Sequence, residues 1–482
     1  MENKIASWTI CHECCGVGEK YHKLNKRARI RYQKQCDEFE KSGGEGIAPI
    51  RPKGHPYVCL NCSGMSLLQT INHPIADTEN YPDVAIIGGG IGGVALAVAC
   101  LHRSIPFTLY ERDSSFDARS QGYGLTLQQA TKAILKLGIF TLAEGVTSTR
   151  HVVHTIDGKI IGEWGMRKWR HSETKASRRT NIHIARQSLR LALLEQLGGQ
   201  DSVKWNHQLV EIKDAGSEGV DLTFEVNGKI KNAKADLIVG ADGIRSTVRK
   251  LLIGEDITPL RYLGCIVILG ICPLATLENV DSDLLDSATV FQTANGNERI
   301  YIMPYSSNSV MWQLSFPMSE TDAKLLSSKG AKALKEEACK RTQWHSPIPQ
   351  ILSATLDAQV TGYPVYDREL LNPELLKNAG KVTLIGDAAH PMSPFKGQGA
   401  NQALLDAVAL AQAIYTGCKP LSNWKEVGIR ESVLTKFELE MLERSASKVK
   451  DSAAAAKFLH SESVLYEANE PRGSFIKRNE GK

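Results

Sequence analysis

The stretch Asp83-Val-Ala-Ile-Ile-Gly88-Gly-Gly90-Ile-Gly-Gly93 decides the fold of this 482-residue chain. Its apolar run predicts a buried strand, and the spacing Gly-x-Gly-x-x-Gly is typical of a turn that opens a helix, here predicted from Val94 onward. Gly88 makes the turn, Gly90 lets the backbone approach a pyrophosphate, and Gly93 lets the helix pack closely. The helix N-terminus would offer amides and partial positive charge to phosphate groups.

A second strand, predicted over Phe107–Tyr110, ends in Glu111, which lies 18 positions after Gly93. A carboxylate there can accept a hydrogen bond from the ribose of an adenosine. Glu111 also argues against a 2′-phosphate, so FAD or NAD fits better than NADP. Strand, glycine motif, helix, strand and acid together predict a Rossmann-like dinucleotide site, in which we include Arg112.

Two later segments select FAD. Gly240-Ala-Asp242-Gly243 resembles the Asp-Gly motif of the class A flavoprotein monooxygenases, and Gly386-Asp387-Ala-Ala-His390-Pro391 resembles their Gly-Asp motif. The resemblance runs from about residue 84 to the helix that contains Asn401, with the motifs in the family's order and spacing. It implies the general fold of p-hydroxybenzoate hydroxylase. Its Gly-Asp region looks closest to the tetracycline-inactivating monooxygenases and similar aromatic hydroxylases.

The resemblance also implies roles for individual residues. The acid corresponding to Asp387 bonds the ribityl chain, and the helix that begins near Gly399 points its N-terminus at the flavin pyrimidine ring, where its dipole stabilises reduced flavin. Arg186 matches an arginine beside the FAD, and residues 121–128 match a second loop more loosely. For Arg190 we expect a surface salt bridge. The candidate cofactor-binding residues are Gly88, Gly90, Gly93, Glu111, Arg112, Arg186, Asp242, Gly386, Asp387, Pro394, Gly397, Gly399 and Asn401.

The chemistry that the resemblance implies is oxygen transfer. NAD(P)H would reduce FAD, O2 would add to give a C4a-hydroperoxide, and an oxygen atom would pass to a small aromatic or polycyclic substrate while water is excluded. The family has no universal acid or base, so we assign no catalytic residue, and we expect His390 to be structural. A flavin-dependent reductase on the same fold and a redox-sensing interaction protein remain alternatives. A halogenase is disfavoured because its Trp-x-Trp-x-Ile-Pro stretch is absent.

We therefore expect an α/β protein with an interrupted FAD-binding domain over residues 82–150, 182–258 and 362–420. An interleaved antiparallel sheet over residues 151–181 and 259–361 would roof the substrate pocket, because residues 288–292, 299–303 and 310–316 alternate at hairpin spacing. Residues 421–482 are predicted to form C-terminal helices. The candidate wall residues of the pocket, each equally compatible with simple core packing, are Phe291, Tyr301, Trp312 and Phe316.

The first 75 residues form a separate module by composition. Six of the eleven cysteines lie there, and Cys11-x-x-Cys14 and Cys59-x-x-Cys62 are each followed by glycines, as in the zinc knuckles of DnaJ-type cochaperones. Four thiolates close a tetrahedral structural zinc site. The other interpretation is free or redox-active thiols. Poorer substitute ligands, which break the paired spacing, are His12, Cys15, Cys36 and His55.

The module also carries most of the net positive charge of the chain. Residues 1–62 carry 11 Lys and Arg against 7 Asp and Glu, a net +4 of the chain's +5. Residues 20–34 contain seven basic side chains and no acid, which predicts a solvated helix or a contact to nucleic acid or an acidic protein. Residues 1–15 lack the apolar core of a signal peptide and no segment reads as a membrane span, so we expect a cytoplasmic protein.

Overall fold

The computed structural model describes residues 6–43, 49, 51–118, 123–166, 181–277 and 280–472. Its strands, in chain order, are β1 (Ser7–Ile10), β2 (Glu19–Tyr21), β3 (Pro56–Val58), β4 (Leu67–Thr70), β5 (Val84–Ile87), β6 (Phe107–Tyr110), β7 (Gly124–Leu127), β8 (Val146–Thr147), β9 (Arg150–His154), β10 (Ile160–Trp164), β11 (Ile182–Ala185), β12 (Val203–Lys204), β13 (Gln208–Asp214), β14 (Val220–Val226), β15 (Lys229–Ala235), β16 (Leu237–Gly240), β17 (Arg261–Pro273), β18 (Thr289–Ala294), β19 (Arg299–Ser306), β20 (Ser309–Pro317), β21 (Val360–Asp367) and β22 (Val382–Leu384).

The α-helices of the same described ranges are α1 (Lys26–Lys41), α2 (Ile91–Leu101), α3 (Thr131–Leu135), α4 (Arg186–Glu195), α5 (Thr247–Ile253), α6 (Glu320–Ser328), α7 (Ala331–Arg341), α8 (Ile348–Ala354), α9 (Gly399–Gly417), α10 (Trp424–Val427) and α11 (Thr435–Phe458). One turn of π-helix, Arg430–Leu434, leads directly into α11. None of the described helices is both long enough and apolar enough to cross a membrane.

A parallel five-stranded sheet in the order β12-β6-β5-β16-β22 forms the centre of the nucleotide-binding half. Every residue of β5 is buried, as expected for a strand covered on both faces. Helix α2 follows β5 and packs against α9. It begins at Ile91, three residues earlier than predicted, because Gly90 is extended and serves as its N-cap.

A second sheet of seven strands, in the order β10-β9-β18-β19-β20-β17-β21, lies beside the first. The three predicted hairpin strands are confirmed as β18, β19 and β20, which pair antiparallel in register. The one parallel pair joins β9 to β18. Strand β21 runs unbroken across the expected boundary between residues 361 and 362, because its pairing with β17 continues on both sides, at Thr361 with Leu269 and at Gly362 with Ile268.

The N-terminal module consists of two short antiparallel pairs, β1 with β4 and β2 with β3. Its basic segment was predicted to be helical from Lys20, but the helix begins only at Lys26. Residues 19–21 pair instead with β3, and the Asn25 side chain accepts a hydrogen bond from Ala28 N at 2.8 Å, which fixes the N-terminus of α1. At the other end of the chain, the expected C-terminal helices are α10 and α11, and residues 473–482 lie outside the described part.

Candidate functional site

The glycine-rich turn between β5 and α2 forms one end of a large cavity. Gly88 has φ of +111°, and a Cβ on Gly93 would stand 1.9 Å from Gly88 O, so neither position accepts a side chain. Gly90 differs, because a Cβ there would meet only Arg186 Nη2, at 3.8 Å. The space over Gly90 is therefore open toward the cavity, which Gly88 and Gly90 both line. The predicted packing role of Gly93 is confirmed.

Glu111 holds this turn in shape at the end of β6. Its carboxylate accepts hydrogen bonds from Gly89 N at 2.7 Å and from Asp113 N at 3.0 Å. Glu111 and the exposed Arg112 both line the cavity beside the turn. The carboxylate therefore joins the end of β6 to the glycine-rich turn at the edge of the cavity.

The expectation that Arg190 lies on the surface is wrong. Its guanidinium is buried, donates from Nε to Gly89 O at 2.6 Å, and lies over the rings of Phe116 and Trp205. Helix α4 is amphipathic, and Arg190 falls on its inner face with Leu189 and Leu193. The residue therefore supports the glycine-rich turn from inside the protein.

Asp242 of the Asp-Gly motif lines the cavity, but its carboxylate is already engaged. It accepts from Thr247 N at 2.7 Å, from Val248 N at 3.1 Å and from Ser246 Oγ, and so caps α5. Burial raises its pKa, and the hydrogen bond from Ser246 opposes that shift. The motif fixes the turn after β16 against Gly88, whose Cβ would touch Ala241 O at 2.6 Å.

Arg249, which the sequence analysis missed, connects the two family motifs. It is buried on α5 and donates from Nη1 to Ala388 O at 2.8 Å and Ala389 O at 2.9 Å, and from Nη2 to Thr258 Oγ1 at 2.6 Å. The start of α5 is thereby tied to the segment that carries Asp387. Arg249 follows Asp242 of the Asp-Gly motif by seven residues, and this proximity was the available signal.

Asp387 points into the cavity from the Gly-Asp motif. Its side chain is exposed to that space although protein surrounds it, and within the described ranges no hydrogen-bond donor reaches its carboxylate. Burial raises its pKa, while the nearby cations His390 and Arg186 oppose this. An acceptor held in this way suits a ligand hydroxyl group.

His390 is buried and makes its side-chain hydrogen bond to Asp406 rather than to Asp387. Its Nε2 lies 2.7 Å from Asp406 Oδ2, and Asp406 also accepts from Gly386 N at 2.8 Å and from Arg444 Nη2. Burial lowers the pKa of His390, but the contact with Asp406 outweighs it, so the net pKa is raised. The cluster anchors the Gly-Asp turn to α9 and α11, which agrees with a structural role for this histidine.

The loop from Pro394 to Gly399 and the N-terminus of α9 form the middle of the cavity. Gly397 adopts the left-handed conformation with φ of +58°, and Pro394, Gly397 and Gly399 all line the space. Asn401 does not line it. Its amide instead donates to Thr126 O and Gly397 O, both at 2.9 Å, and accepts from Gln128 N at 2.9 Å. Asn401 therefore positions the loop and β7 rather than facing a ligand.

Arg186, at the first turn of α4, lies between the glycine-rich turn and the rest of the cavity. Its guanidinium stacks on the Tyr123 ring at 5.4 Å, and both residues line the space. Of the second predicted loop, Gln121 and Gly122 lie outside the described residues. Most of the remainder forms β7, and Asn401 makes hydrogen bonds to Thr126 O in this strand and to Gln128 N just after it.

The far end of the cavity is the inward face of the seven-stranded sheet. Tyr301 lines it as expected. Phe291 borders the cavity, but its side chain is fully buried on the other face of the sheet, because it pairs with Ile302, which in turn pairs with Trp312. Trp312 and Phe316 do not line the cavity, and the alternative of simple core packing holds for them. Both are fully buried in the core on the opposite face of β20, where Trp312 Nε1 donates to Thr355 Oγ1 at 2.9 Å. The side chains that do face the cavity alternate with them along the strands: Arg299, Met303, Met311 and Gln313.

The whole cavity has a volume of about 1180 Å3 and is continuous from the glycine-rich turn to this sheet face. Sites for a single drug-sized ligand span roughly 300–1,000 Å3, so this cavity exceeds the upper end of that range. The residues fit FAD: a bare backbone over Gly90, the unengaged acceptor Asp387, and the N-terminus of a 19-residue helix at Gly399.

Comparison with known proteins agrees with this geometry. A family model described as "FAD binding domain" matches residues 81–419. The chain belongs to this FAD-binding family. It is 30% identical over 335 residues to an aurachin C monooxygenase/isomerase from Stigmatella aurantiaca, covering 69% of this chain and 80% of that protein. It is 27% identical over 352 residues to a 3-amino-4-hydroxybenzoate 2-monooxygenase from Streptomyces platensis, covering 70% and 80%.

Among solved structures, HpxO from Klebsiella pneumoniae in complex with FAD and uric acid aligns with a TM-score of 0.65 at 19% identity, covering 82% of this chain and 95% of that one. This likeness shows the shared fold. The relatives in the family are FAD-dependent monooxygenases, and this protein is an enzyme of that type.

The four predicted metal ligands come together at the N-terminus. The Sγ atoms of Cys11, Cys14, Cys59 and Cys62 all lie within 4.8 Å of one another and are buried. The pair Cys11 and Cys59 is separated by 3.9 Å and the pair Cys14 and Cys62 by 3.7 Å. Disulfides need about 2.05 Å, whereas zinc–sulfur bonds of about 2.3 Å place tetrahedral sulfurs about 3.8 Å apart.

The two knuckles have the same backbone design. Gly16 and Gly64 are both left-handed, with φ of +73° and +82°, and each donates its N–H to the first cysteine carbonyl of its own knuckle. The knuckles also clasp each other, since Cys59 N donates to Gly18 O at 2.9 Å and Cys11 N donates to Ser66 O at 2.8 Å. The substitute ligands considered above are not part of this cluster.

Proposed function

We propose that the protein hydroxylates a small aromatic substrate, with FAD as its cofactor and NAD(P)H as the reductant. The observation that carries this proposal is the continuity of the cavity between Gly90, Asp387 and the sheet face around Tyr301. One end has the chemistry to hold a dinucleotide, and the other is walled by aromatic and thioether side chains. The relatives named above include an enzyme whose name gives an aminohydroxybenzoate as its substrate.

FAD, when bound, would supply the activation of O2. The protein's own residues would bind, orient and shield. The backbone at Gly90 and the first turn of α2 would hold the pyrophosphate, Glu111 the adenosine ribose and Asp387 the ribityl hydroxyls. The amides at the start of α9 would place partial positive charge near the pyrimidine ring and favour its reduced anion.

The substrate end would keep water out. Met303, Met311 and Tyr363 face this part of the cavity, together with Phe395 from the loop before α9. Apolar walls of this kind protect a reactive oxygen donor from water and hold a flat ring in place.

The test is spectroscopic and kinetic. The purified protein should be yellow and release FAD on heating, and its NAD(P)H oxidation should rise when a suitable phenol or aromatic acid is added. A protein that binds no FAD would overturn the proposal. A Gly90→Ala variant, in which a methyl group intrudes into the pyrophosphate space, is the matched negative control.

We also infer that the four cysteines hold a structural zinc ion. The sulfur separations support this, and so does Arg103, a buried guanidinium that packs against the first knuckle, where a Cβ on Gly16 would stand 3.3 Å from its Nη2. Within the described ranges no carboxylate forms an ion pair with Arg103, and a zinc tetrathiolate carries the net negative charge that would balance it. One zinc per chain is expected, lost in Cys59→Ser and kept in Cys15→Ser, a matched control because Cys15 is exposed and outside the cluster.

The module has a further exposed feature that we propose as a contact to a polyanion. Helix α1 has no buried residue, and its first half carries Lys26, Arg27, Arg29 and Arg31. A helix without buried residues contributes little packing to the stability of the fold. Binding to a nucleic acid in low salt, lost in a variant with these four residues changed to Glu, would support the contact, and unchanged mobility of the nucleic acid would refute it.

A further inference from the structure

The N-terminal module is docked on the end of α2 that lies away from the cavity. Ile10 N, next to the first cysteine of the cluster, donates to the carbonyl of His102, the C-cap of α2, at 3.1 Å. Trp8 of β1 covers Gly138, where a Cβ would stand 2.7 Å from Trp8 Cδ1, and its ring lies 4.8 Å from the ring of Phe140. The module is therefore seated on the nucleotide-binding half by both a backbone hydrogen bond and a ring contact.

Helices α2 and α9 run side by side in the same direction. Toward their N-termini, a Cβ on Gly92 would stand 3.4 Å from Ala403 Cβ, and beyond the C-terminus of α2, Arg103 Nη2 donates to Gln412 Oε1 at 3.0 Å. The N-termini of both helices border the cavity at the candidate FAD site. The eleven residues of α2 set its two ends about 16 Å apart, so one end lies at the cavity and the other at the module.

Arg103 connects the first cysteine knuckle to both helices. Its Nη1 donates to Ala99 O in the last turn of α2 at 3.0 Å, while its Nη2 reaches Gln412 on α9. Gly16, the turn residue of this knuckle, lies against both partners, because a Cβ there would stand 3.3 Å from Arg103 Nη2 and 3.2 Å from Gln412 Oε1. The guanidinium is buried, so the knuckle is packed directly on the junction of the two helices.

The shape of the knuckle depends on its cysteines. The buried cluster at the centre of the module consists of the four cysteines themselves, with Leu68 packed against them. A module with so small an apolar core needs its metal to fold. Without zinc, the knuckle would leave Arg103 as a buried cation that nothing balances. We expect the guanidinium to move toward water and to loosen the last turn of α2 and its contact with α9.

We propose that Arg103 is a positioning residue for the FAD site, through which zinc in the N-terminal module strengthens the binding of FAD. This inference rests on the zinc and FAD sites proposed above. With zinc bound, the knuckle holds Arg103, and Arg103 holds the C-terminal ends of α2 and α9 together. Nine of the eleven residues of α2 are buried in close packing, so a displacement at one end of the helix is carried to the other.

Such a coupling between two sites is reciprocal. If zinc raises the affinity for FAD by some factor, then FAD raises the affinity for zinc by the same factor. A zinc ion that only added stability to the fold would change neither affinity under conditions in which the protein stays native. Reciprocity therefore distinguishes a positioning role from a purely structural one.

The test uses the full-length protein, stripped of FAD, under reducing conditions and far below its melting temperature. FAD is titrated into zinc-loaded protein and into protein freed of zinc by a chelator, and binding is followed by flavin fluorescence. Loss of zinc should weaken FAD binding by about 5- to 50-fold, within the usual range for coupling between two sites. The affinity for zinc, measured by competition with a chelating indicator, should be lower by the same factor when FAD is absent.

Three variants locate the coupling. Arg103→Met should still bind zinc through the four cysteines, but its affinity for FAD should no longer depend on zinc. Gln412→Leu removes the tie to α9 and keeps the contact of Arg103 with Ala99, so it should lose part of the dependence. Lys20→Met is the matched control, because it removes a cation of the same module that pairs with Glu13 at 3.0 Å, and it should leave the coupling unchanged.

Equal affinity for FAD with and without zinc would overturn the inference, and so would a zinc dependence that persists in both Arg103→Met and Gln412→Leu. An affinity for zinc that ignores FAD would overturn it as well. These failures differ from failure of the proposed function. A protein that binds FAD and hydroxylates an aromatic compound but holds no zinc would remain a hydroxylase and lose only this coupling, whereas a protein that binds no FAD would lose both.

Discussion

Substituting alanine at two glycines of the same motif should affect two different properties. Gly93→Ala should lower the stability of the fold, and Gly90→Ala should lower the affinity for FAD. In Gly93→Ala the new Cβ would stand 1.9 Å from Gly88 O, well inside the roughly 3.2 Å at which carbon and oxygen normally meet, so α2 would have to move by more than an ångström. Nine of its eleven residues are buried, so such a shift disturbs the core. We expect a loss of about 2–4 kcal/mol in the free energy of unfolding, as for severe overpacking.

Gly90→Ala should leave the fold intact. The backbone at Gly90 has φ of −75°, which any residue adopts, and its Cβ would have no protein atom closer than 3.8 Å. The methyl group would occupy the space in which we place the pyrophosphate. A penalty of about 1–3 kcal/mol from such a clash corresponds to a loss of FAD affinity of roughly 5- to 150-fold.

The assay compares both variants with the wild type after removal of FAD. Melting temperature and denaturant midpoint of the apoprotein report the fold, and titration with FAD reports the cofactor site. A Gly90→Ala protein that binds FAD as tightly as the wild type would refute the placement of the pyrophosphate. An apoprotein destabilised equally by the two substitutions would refute the assignment of their separate roles.

Three other perturbations have defined outcomes. Asp387→Ala should weaken FAD binding by about 10- to 100-fold, the cost of one charge-assisted hydrogen bond, without lowering apoprotein stability, and unchanged binding would contradict a ribityl contact. Burial lowers the pKa of His102 to about 3, below an unfolded value near 6.5. The unfolded state therefore binds the extra proton, and stability should fall between pH 6.5 and 3 by about 1.4 kcal/mol per pH unit from this group. His102→Gln should flatten the dependence by that amount, as measured by chemical denaturation at several pH values. Removing zinc with a chelator should lower the melting temperature of the wild type but not that of Cys59→Ser, and a wild type that melts unchanged after its metal is gone would contradict a structural role.

The parts of the site that depend on local sequence could be predicted, because their chemistry lies in neighbouring residues. The turn at Gly88 and Gly93 needs a left-handed residue and a close approach, and only glycine supplies both. The paired cysteines could be predicted for the same reason, since each knuckle is complete within eight residues.

The hydrogen-bond partners of the long arginine side chains could not be predicted. Arg190 donates to Gly89 and Arg249 to Ala388, partners about 100 and 140 positions away that share no pattern with them. The aromatic character of a side chain was also a poor guide to the face of β20 on which it lies. Trp312 and Phe316 were chosen as wall residues for their aromatic rings, whereas position along the strand decides the face, and the odd-numbered Met311 and Gln313 face the cavity.

The most direct test of the central claim is to follow oxygen atoms. The FAD-loaded enzyme, given NAD(P)H, 18O2 and the aromatic compound that most accelerates NAD(P)H oxidation, should yield a product that has gained one 18O atom. Gly90→Ala should yield less of this product than the wild type when FAD is limiting, and should recover it when FAD is added. A product labelled from water instead, or NAD(P)H oxidation that yields only hydrogen peroxide with every aromatic compound tried, would contradict the assignment of this cavity to hydroxylation.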